Sequence, residues 1–208
     1  MLGIAGLLVT AGCAHQPWRG GSARIGGPYA LYMRGLMLEK SAQLSEALGV
    51  YQQALEHDHW SPLLHVRVGA TYVKLGRMDD ALRAFERALA IDPNHPDALR
   101  WVAMLHASQG RLDKAVEAYE RLLRADPDDQ FVVTTLADLY VLQGELSKAI
   151  ALYQRLIARF DSSSQLHFNL GVLYGRVSQF EEAIQELSRA LELSPESLEI
   201  RVALGLTY

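Results

Sequence analysis

VGATYVKLGRMDDALRAFERALAIDP, residues 68–93, reads as two short amphipathic helices joined by a tight turn. Gly69 and Ala81 carry small side chains, which let two helix axes approach to about 8 Å. Gly76 marks the turn, and Asp79 opens the second helix with a side chain suited to capping and to the helix dipole. Asp92-Pro93 stops that helix, because proline disfavours helical geometry in the residue before it. Phe85 is left to fill the gap toward the neighbouring segment.

The same arrangement recurs at a spacing of 34 residues. Counted from Pro28, blocks 28–61, 62–95, 96–129, 130–163 and 164–197 follow one another without insertion, and 198–208 begins a sixth. The twentieth place holds Ala47, Ala81, Ala115, Ala149 and Ala183; the eighth holds Gly35, Gly69, Ala103, Ala137, Gly171 and Gly205. If alanine occupied about one site in ten, the first coincidence alone would have odds on the order of 10⁻⁵. Within a block the apolar spacing is helical: Leu99, Ala103 and His106 are four and three apart, and so are Ala115, Tyr119 and Leu122. Gly110 and Gly144 repeat the turn, Asp113 and Ser147 follow them, and Asp126-Pro127 and Ser194-Pro195 repeat the stop. Tyr51, Tyr119 and Tyr153 stand where Phe85 does.

These residues resemble the tetratricopeptide-repeat pattern, and the resemblance covers residues 28–208, about five and a third repeats. Ala42 and Ser178 replace the turn glycine, His59 and Asp161 the proline, and Leu187 the aromatic. Each departure is expected to loosen a turn or seam by about 1 kcal/mol. The resemblance implies an all-α fold, a right-handed α-solenoid of helix-turn-helix repeats. First helices would line a concave groove and second helices would form the convex back.

Carried over place by place, the groove of such a solenoid would present Tyr29, Tyr32, Leu36, Glu39 and Lys40, then Leu63, Val66, Ala70, Val73 and Lys74. Asp97, Arg100, Met104, Ala107 and Ser108 come next, then Phe131, Thr134, Asp138, Val141 and Leu142, then Gln165, Phe168, Val172, Gly175 and Arg176. The expected partner contacts are Tyr29, Tyr32, Val66, Lys74, Arg100, Met104, Phe131, Asp138, Phe168, Val172 and Arg176. Such a mostly apolar surface suits an amphipathic helix or an extended peptide with large side chains. The alternative is that Tyr29, Tyr32, Phe131 and Phe168 pack as core between first helices. One subgroup of the family grips a partner's C-terminal carboxylate with Lys and Asn at fixed places. Here place five holds Tyr32, Val66, Arg100, Thr134 and Phe168, and Asn169 has no lysine counterpart, so a cytosolic chaperone adaptor is disfavoured.

The chain opens MLGIAGLLVTAGCAHQP, with residues 2–12 uncharged and apolar or small. Eleven residues are too few for a membrane-spanning helix, which needs about 20, and match the apolar core of an export signal. Thr10-Ala11-Gly12 before the single cysteine, Cys13, resembles the lipobox of bacterial lipoproteins, with Thr10 standing where that family usually has Leu and no Lys or Arg preceding the apolar run. The resemblance implies a signal peptide over 1–12, lipidation of Cys13, and an outer-membrane anchor facing the periplasm, because Ala14 is not the Asp that retains lipoproteins at the inner membrane. Residues 13–27, rich in glycine, read as a flexible tether. An idle or buried thiol at Cys13, and cleavage after Ala14 to give a soluble exported protein, are the alternatives.

The composition excludes several classes of function. Twenty Lys and Arg against 24 Asp and Glu give a net charge of −4, which offers no field for nucleic acid. A single cysteine makes no internal disulfide and no multi-thiolate metal site. His57, His59 and His65 lie close in sequence, yet His65, His106 and His167 occupy core places of their helices and read as polar-tipped packing residues rather than metal ligands. No phosphate loop, nucleophile elbow or redox pair occurs, so no cofactor and no catalytic residue is expected. Residues 198–208 end in Leu204, Leu206 and Tyr208, an apolar edge that predicts further repeats or an oligomer contact. The expected function is a non-catalytic, lipid-anchored scaffold holding a peptide or helix of another protein. The rivals are the substrate-recruiting part of a longer enzyme or regulator and a soluble adaptor.

Overall fold

Proline opens α1 (Pro28–Lys40), α3 (Pro62–Lys74) and α5 (Pro96–Ser108), where its missing N–H costs nothing and its fixed φ already suits the helix. The computed structural model describes residues 27–208; the segment 1–12, Cys13 and the spacer as far as residue 26 lie outside them. The other helices are α2 (Leu44–His57), α4 (Met78–Ile91), α6 (Leu112–Ala125), α7 (Gln130–Gln143), α8 (Leu146–Ile157), α9 (Ser164–Arg176), α10 (Phe180–Leu193) and α11 (Leu198–Thr207). The described residues contain no strand. From α1 to α10 each odd-numbered helix pairs with the even-numbered helix after it, each pair stacks on the next, and α11 stacks on α10 and also touches α9. The fold is an all-α solenoid of helix pairs.

Within a pair, the turn needs a left-handed residue. Gly76, Gly110 and Gly144 supply it with φ of 73°, 71° and 80°. Ala42 and Ser178 take the same conformation, at 60° and 62°, so the turn survives both replacements at the cost of a crowded β-carbon.

Capping differs from the sequence expectation. Asp79, Asp113 and Ser147 stand one residue inside α4, α6 and α8 and make no side-chain cap. The caps belong to the odd-numbered helices. Ser61, Asp129, Ser163 and Ser197 accept a hydrogen bond from the backbone N–H three residues on, at 3.4, 3.1, 3.4 and 3.4 Å. Asp79 and Asp113 still act on their helices through the dipole.

The alanines at place twenty, from Ala47 to Ala183, are wholly buried, and Tyr51, Phe85, Tyr119 and Tyr153 are threaded beside them. One core cluster runs from Val66 through α4 to α10, and a smaller one joins α2 to α3. Phe85 stacks on Trp101 of the next repeat, centroids 5.6 Å apart and planes 6° from parallel. His65, His106 and His167 are buried. His65 Nε2 lies 3.1 Å from the His59 carbonyl oxygen, and burial pushes the His106 pKa down. Among the described residues no cluster of three His, Cys, Asp or Glu is placed to hold a metal ion.

Candidate partner-binding face

Two pairs of odd-numbered helices, α1 with α3 and α5 with α7, meet through their own side chains. Thr71 of α3 donates to Glu39 of α1 at 2.7 Å, and Lys74 completes an ion pair with the same carboxylate at 3.2 Å. Arg100 of α5 reaches Asp129 at the start of α7 at 3.2 Å, and its guanidinium lies 5.6 Å from the centre of the Phe131 ring. Asn169 of α9 donates to the Tyr153 hydroxyl of α8 at 3.1 Å and accepts from Gln165 at 2.9 Å. These contacts tie α1 to α3, α5 to α7 and α9 to α8.

Most residues expected there are accessible. Tyr29 is exposed at the α1 end, Tyr32 is half-buried against Tyr51, and Arg67 lies over its ring at 5.9 Å. Met104 and Val172 are 43% and 38% exposed, while Phe131 and Leu142 on α7 reach 53% and 69%. Phe168 is half-buried, and Lys74, Asp138 and Arg176 are exposed. Val66 is the correction: it is 5% exposed and belongs to the core. Its branched side chain ends in the seam between repeats, whereas Arg100 at the same place is long enough to pass through that seam to Asp129.

The structure also brings forward residues that the place-by-place reading had put only in the core. Tyr119 feels the charge of Arg100, and Tyr153 that of Asp138, so both tyrosines reach from the second helices toward the first-helix face. Burial pushes both phenol pKa values up. A signal for this was present in the sequence, since a tyrosine at place twenty-four ends in a hydroxyl that Phe85 lacks. Asp138 is exposed as a residue, yet its carboxyl pKa is raised by burial alone, with no cation acting against the shift.

A second concavity, of ≈ 500 Å³, lies between α6, α7 and α8. Its polar groups largely answer one another: Tyr140 donates to Glu120 at 2.6 Å, Gln143 donates to Asp113 at 2.7 Å, and Lys148 pairs with Glu145 at 3.6 Å. That leaves few groups free to converge on a ligand, and the first-helix face is the stronger candidate.

A family model described as the cilia and flagella-associated protein 70 C-terminal domain matches residues 23–203. No curated protein matches the chain. Among solved structures, YrrB, a TPR protein with an unusual peptide-binding site, superposes with a TM-score of 0.69 at 19% identity over 86% of this chain and 92% of that one. MamA AMB-1 gives 0.67 at 21% identity over 84% and 96%. MamA 41-end from Desulfovibrio magneticus RS-1 gives 0.66 at 20% over 84% and 99%. At such identities the likeness to these structures is one of fold.

Proposed function

This chain belongs to the cilia and flagella-associated protein 70 C-terminal domain family, and from that membership and its tetratricopeptide fold we propose that it is a non-catalytic scaffold whose first-helix face holds a peptide or helix of a partner protein. The observation that carries this reading is the run of accessible apolar side chains, Met104, Phe131, Leu142 and Val172, along α5, α7 and α9, flanked by the half-buried Val141 and Phe168. Arg100 seated over Phe131 holds one aromatic anchor in place. YrrB is a TPR protein with an unusual peptide-binding site, and that precedent on the same fold supports the reading.

The family description names a protein of cilia and flagella. For this chain the support for a location is local instead: Thr10-Ala11-Gly12-Cys13, after an uncharged apolar run, motivates export and lipidation of Cys13 in a bacterial envelope, with the repeats facing the periplasm.

Two measurements test the two halves separately. Crosslinking and pull-down with the full chain should capture a partner that Phe131→Ser and Phe168→Ser release, since loss of an aromatic hot spot commonly costs about 2 kcal/mol or more. Capture unchanged by both substitutions overturns the binding role. Intact mass and membrane fractionation in a Gram-negative host should show a diacylglyceryl mass shift that Cys13→Ser abolishes. Soluble, unprocessed protein overturns the anchor and leaves the scaffold reading standing.

A further inference from the structure

Asp138 stands on the first-helix face of α7 among accessible apolar side chains, with Thr134 one turn before it. Along its own helix, α7, Phe131 lies two turns before it and Leu142 one turn after, so the three share a side of the helix. At the same place of the flanking first helices stand Met104 on α5 and Val172 on α9. All four of these neighbours are large, apolar and accessible. The other acids of this face are differently engaged. Glu39 is held by Lys74 and Thr71, Asp129 caps α7 and pairs with Arg100, and Asp97 sits in the first turn of α5, where the helix dipole favours it. Asp138 makes no hydrogen bond or ion pair among the described residues, and partial burial raises its carboxyl pKa with no cation acting against the shift. The nearby Tyr153 hydroxyl accepts from Asn169, and among the described residues no hydrogen bond joins it to Asp138.

Resting on the groove reading above, we infer that Asp138 is the specificity-determining residue of that face, and that the segment bound there is apolar with one lysine or arginine at its centre. Phe131, Leu142, Met104 and Val172 take the apolar side chains on either side, and the cation of the ligand supplies the partner that Asp138 lacks. Charge complementarity fixes the register: shifting the ligand by one position along the face sets its cation against an apolar side chain and leaves the carboxylate unpaired. The surface thereby favours an apolar, basic segment over an apolar, acidic one of the same shape.

The test uses three pools of capped nine-residue peptides randomised over Leu, Phe and Ala and fixed at the centre as Lys, Met or Glu, with binding to the full chain read by fluorescence anisotropy. The Lys pool is expected to bind at least about tenfold more tightly than the Met or Glu pool. Asp138→Asn should remove that preference, bringing the Lys and Met pools level, and Asp138→Lys should reverse it toward the Glu pool, a gain that misfolding cannot imitate. A lysine preference that survives Asp138→Asn, or a Met pool that binds as tightly as the Lys pool, overturns this inference and leaves the groove reading intact. Absence of binding by every pool, or binding unmoved by Phe131→Ser, overturns the groove reading and this inference with it.

Discussion

The ring of Phe85 occupies the space that a β-carbon on residue 69 would need: built onto Gly69, that atom would stand 2.6 Å from Phe85 Cε1. The same relation joins Gly35 to Tyr51 at 2.3 Å and Gly171 to Leu187 at 2.7 Å. The small residue at place eight therefore makes room for the large one at place twenty-four, and the two helices of a repeat close on each other through that pair.

Two glycine-to-alanine substitutions should consequently differ in sign. Gly69→Ala gains up to about 1 kcal/mol of helix propensity but forces a wholly buried ring to shift, and overpacking of this kind costs about 1–3 kcal/mol, so net destabilisation is expected. Gly49→Ala, in the interior of α2 where an added β-carbon meets nothing within 4 Å, should stabilise by up to about 1 kcal/mol. Urea melts of the two variants beside the parent decide the matter. Equal effects would mean that propensity, and not the Gly69–Phe85 contact, governs place eight.

The turns offer a gain of stability. Ala42 and Ser178 carry β-carbons in the left-handed conformation that Gly76, Gly110 and Gly144 adopt freely. Ala42→Gly and Ser178→Gly should each stabilise by about 1 kcal/mol, less the added freedom of glycine in the unfolded chain. Thermal melts should show two small upward shifts that add, because the two turns belong to the first and fifth repeats and share no contact.

Two junctions carry a buried histidine where the two junctions between them carry Leu99 and Val133. His167 Nδ1 lies 2.6 Å from Glu186 Oε2 and Nε2 lies 3.0 Å from the Asp161 carbonyl oxygen, while His65 reaches the His59 carbonyl oxygen in the same way. His59 and Asp161 are the two places where the terminating proline is missing, and after the three terminating prolines, Pro93, Pro127 and Pro195, the histidine's place holds Leu99, Val133 and Arg201. The imidazole thus ties down a junction that proline does not stiffen. His167→Leu should cost about 1–3 kcal/mol, because it strands a carboxylate as well as a carbonyl, and His65→Leu about 0.5–1.5 kcal/mol. Equal losses measured by denaturant melts would remove Glu186 from this account.

The period, the helix pairs and the turns were legible because each rests on one local requirement: a small residue at a crossing, a left-handed residue at a turn, a proline at a stop. Ala42 and Ser178 show that the turn is dictated by the whole repeat and not by glycine itself. Capping was misplaced because Asp79 and Asp113 do resemble caps; Ser61, Asp129, Ser163 and Ser197, which do the capping, lie in connectors where polar residues are expected anyway. The face was legible by place, but accessibility depends on side-chain length against the depth of the seam, which separates Val66 from Arg100. The approach of Tyr153 to Asn169 depends on how one repeat sits on the next, and spacing within a block carries no record of that.

Asp138 ties the binding face to stability through pH. Burial raises its carboxyl pKa in the folded chain above that of the unfolded chain, so folding favours the protonated form and the ionised form is a cost. That cost is fully present above the raised pKa and disappears as pH falls through it toward the unfolded value. Asp138→Asn, which keeps the shape and removes the charge, should therefore melt at a higher temperature than the parent at pH 7, and the gap should close on acidification. Melts of both proteins from pH 7 down to pH 4 measure this directly. A gap of constant size would show that the gain comes from the amide's own contacts, and a parent more stable at pH 7 would mean that the carboxylate is held by a cation the folded chain supplies. The expected pattern is that of a charge kept on the surface at the expense of the fold, and in a groove that binds an apolar, basic segment the partner's cation is what offsets it.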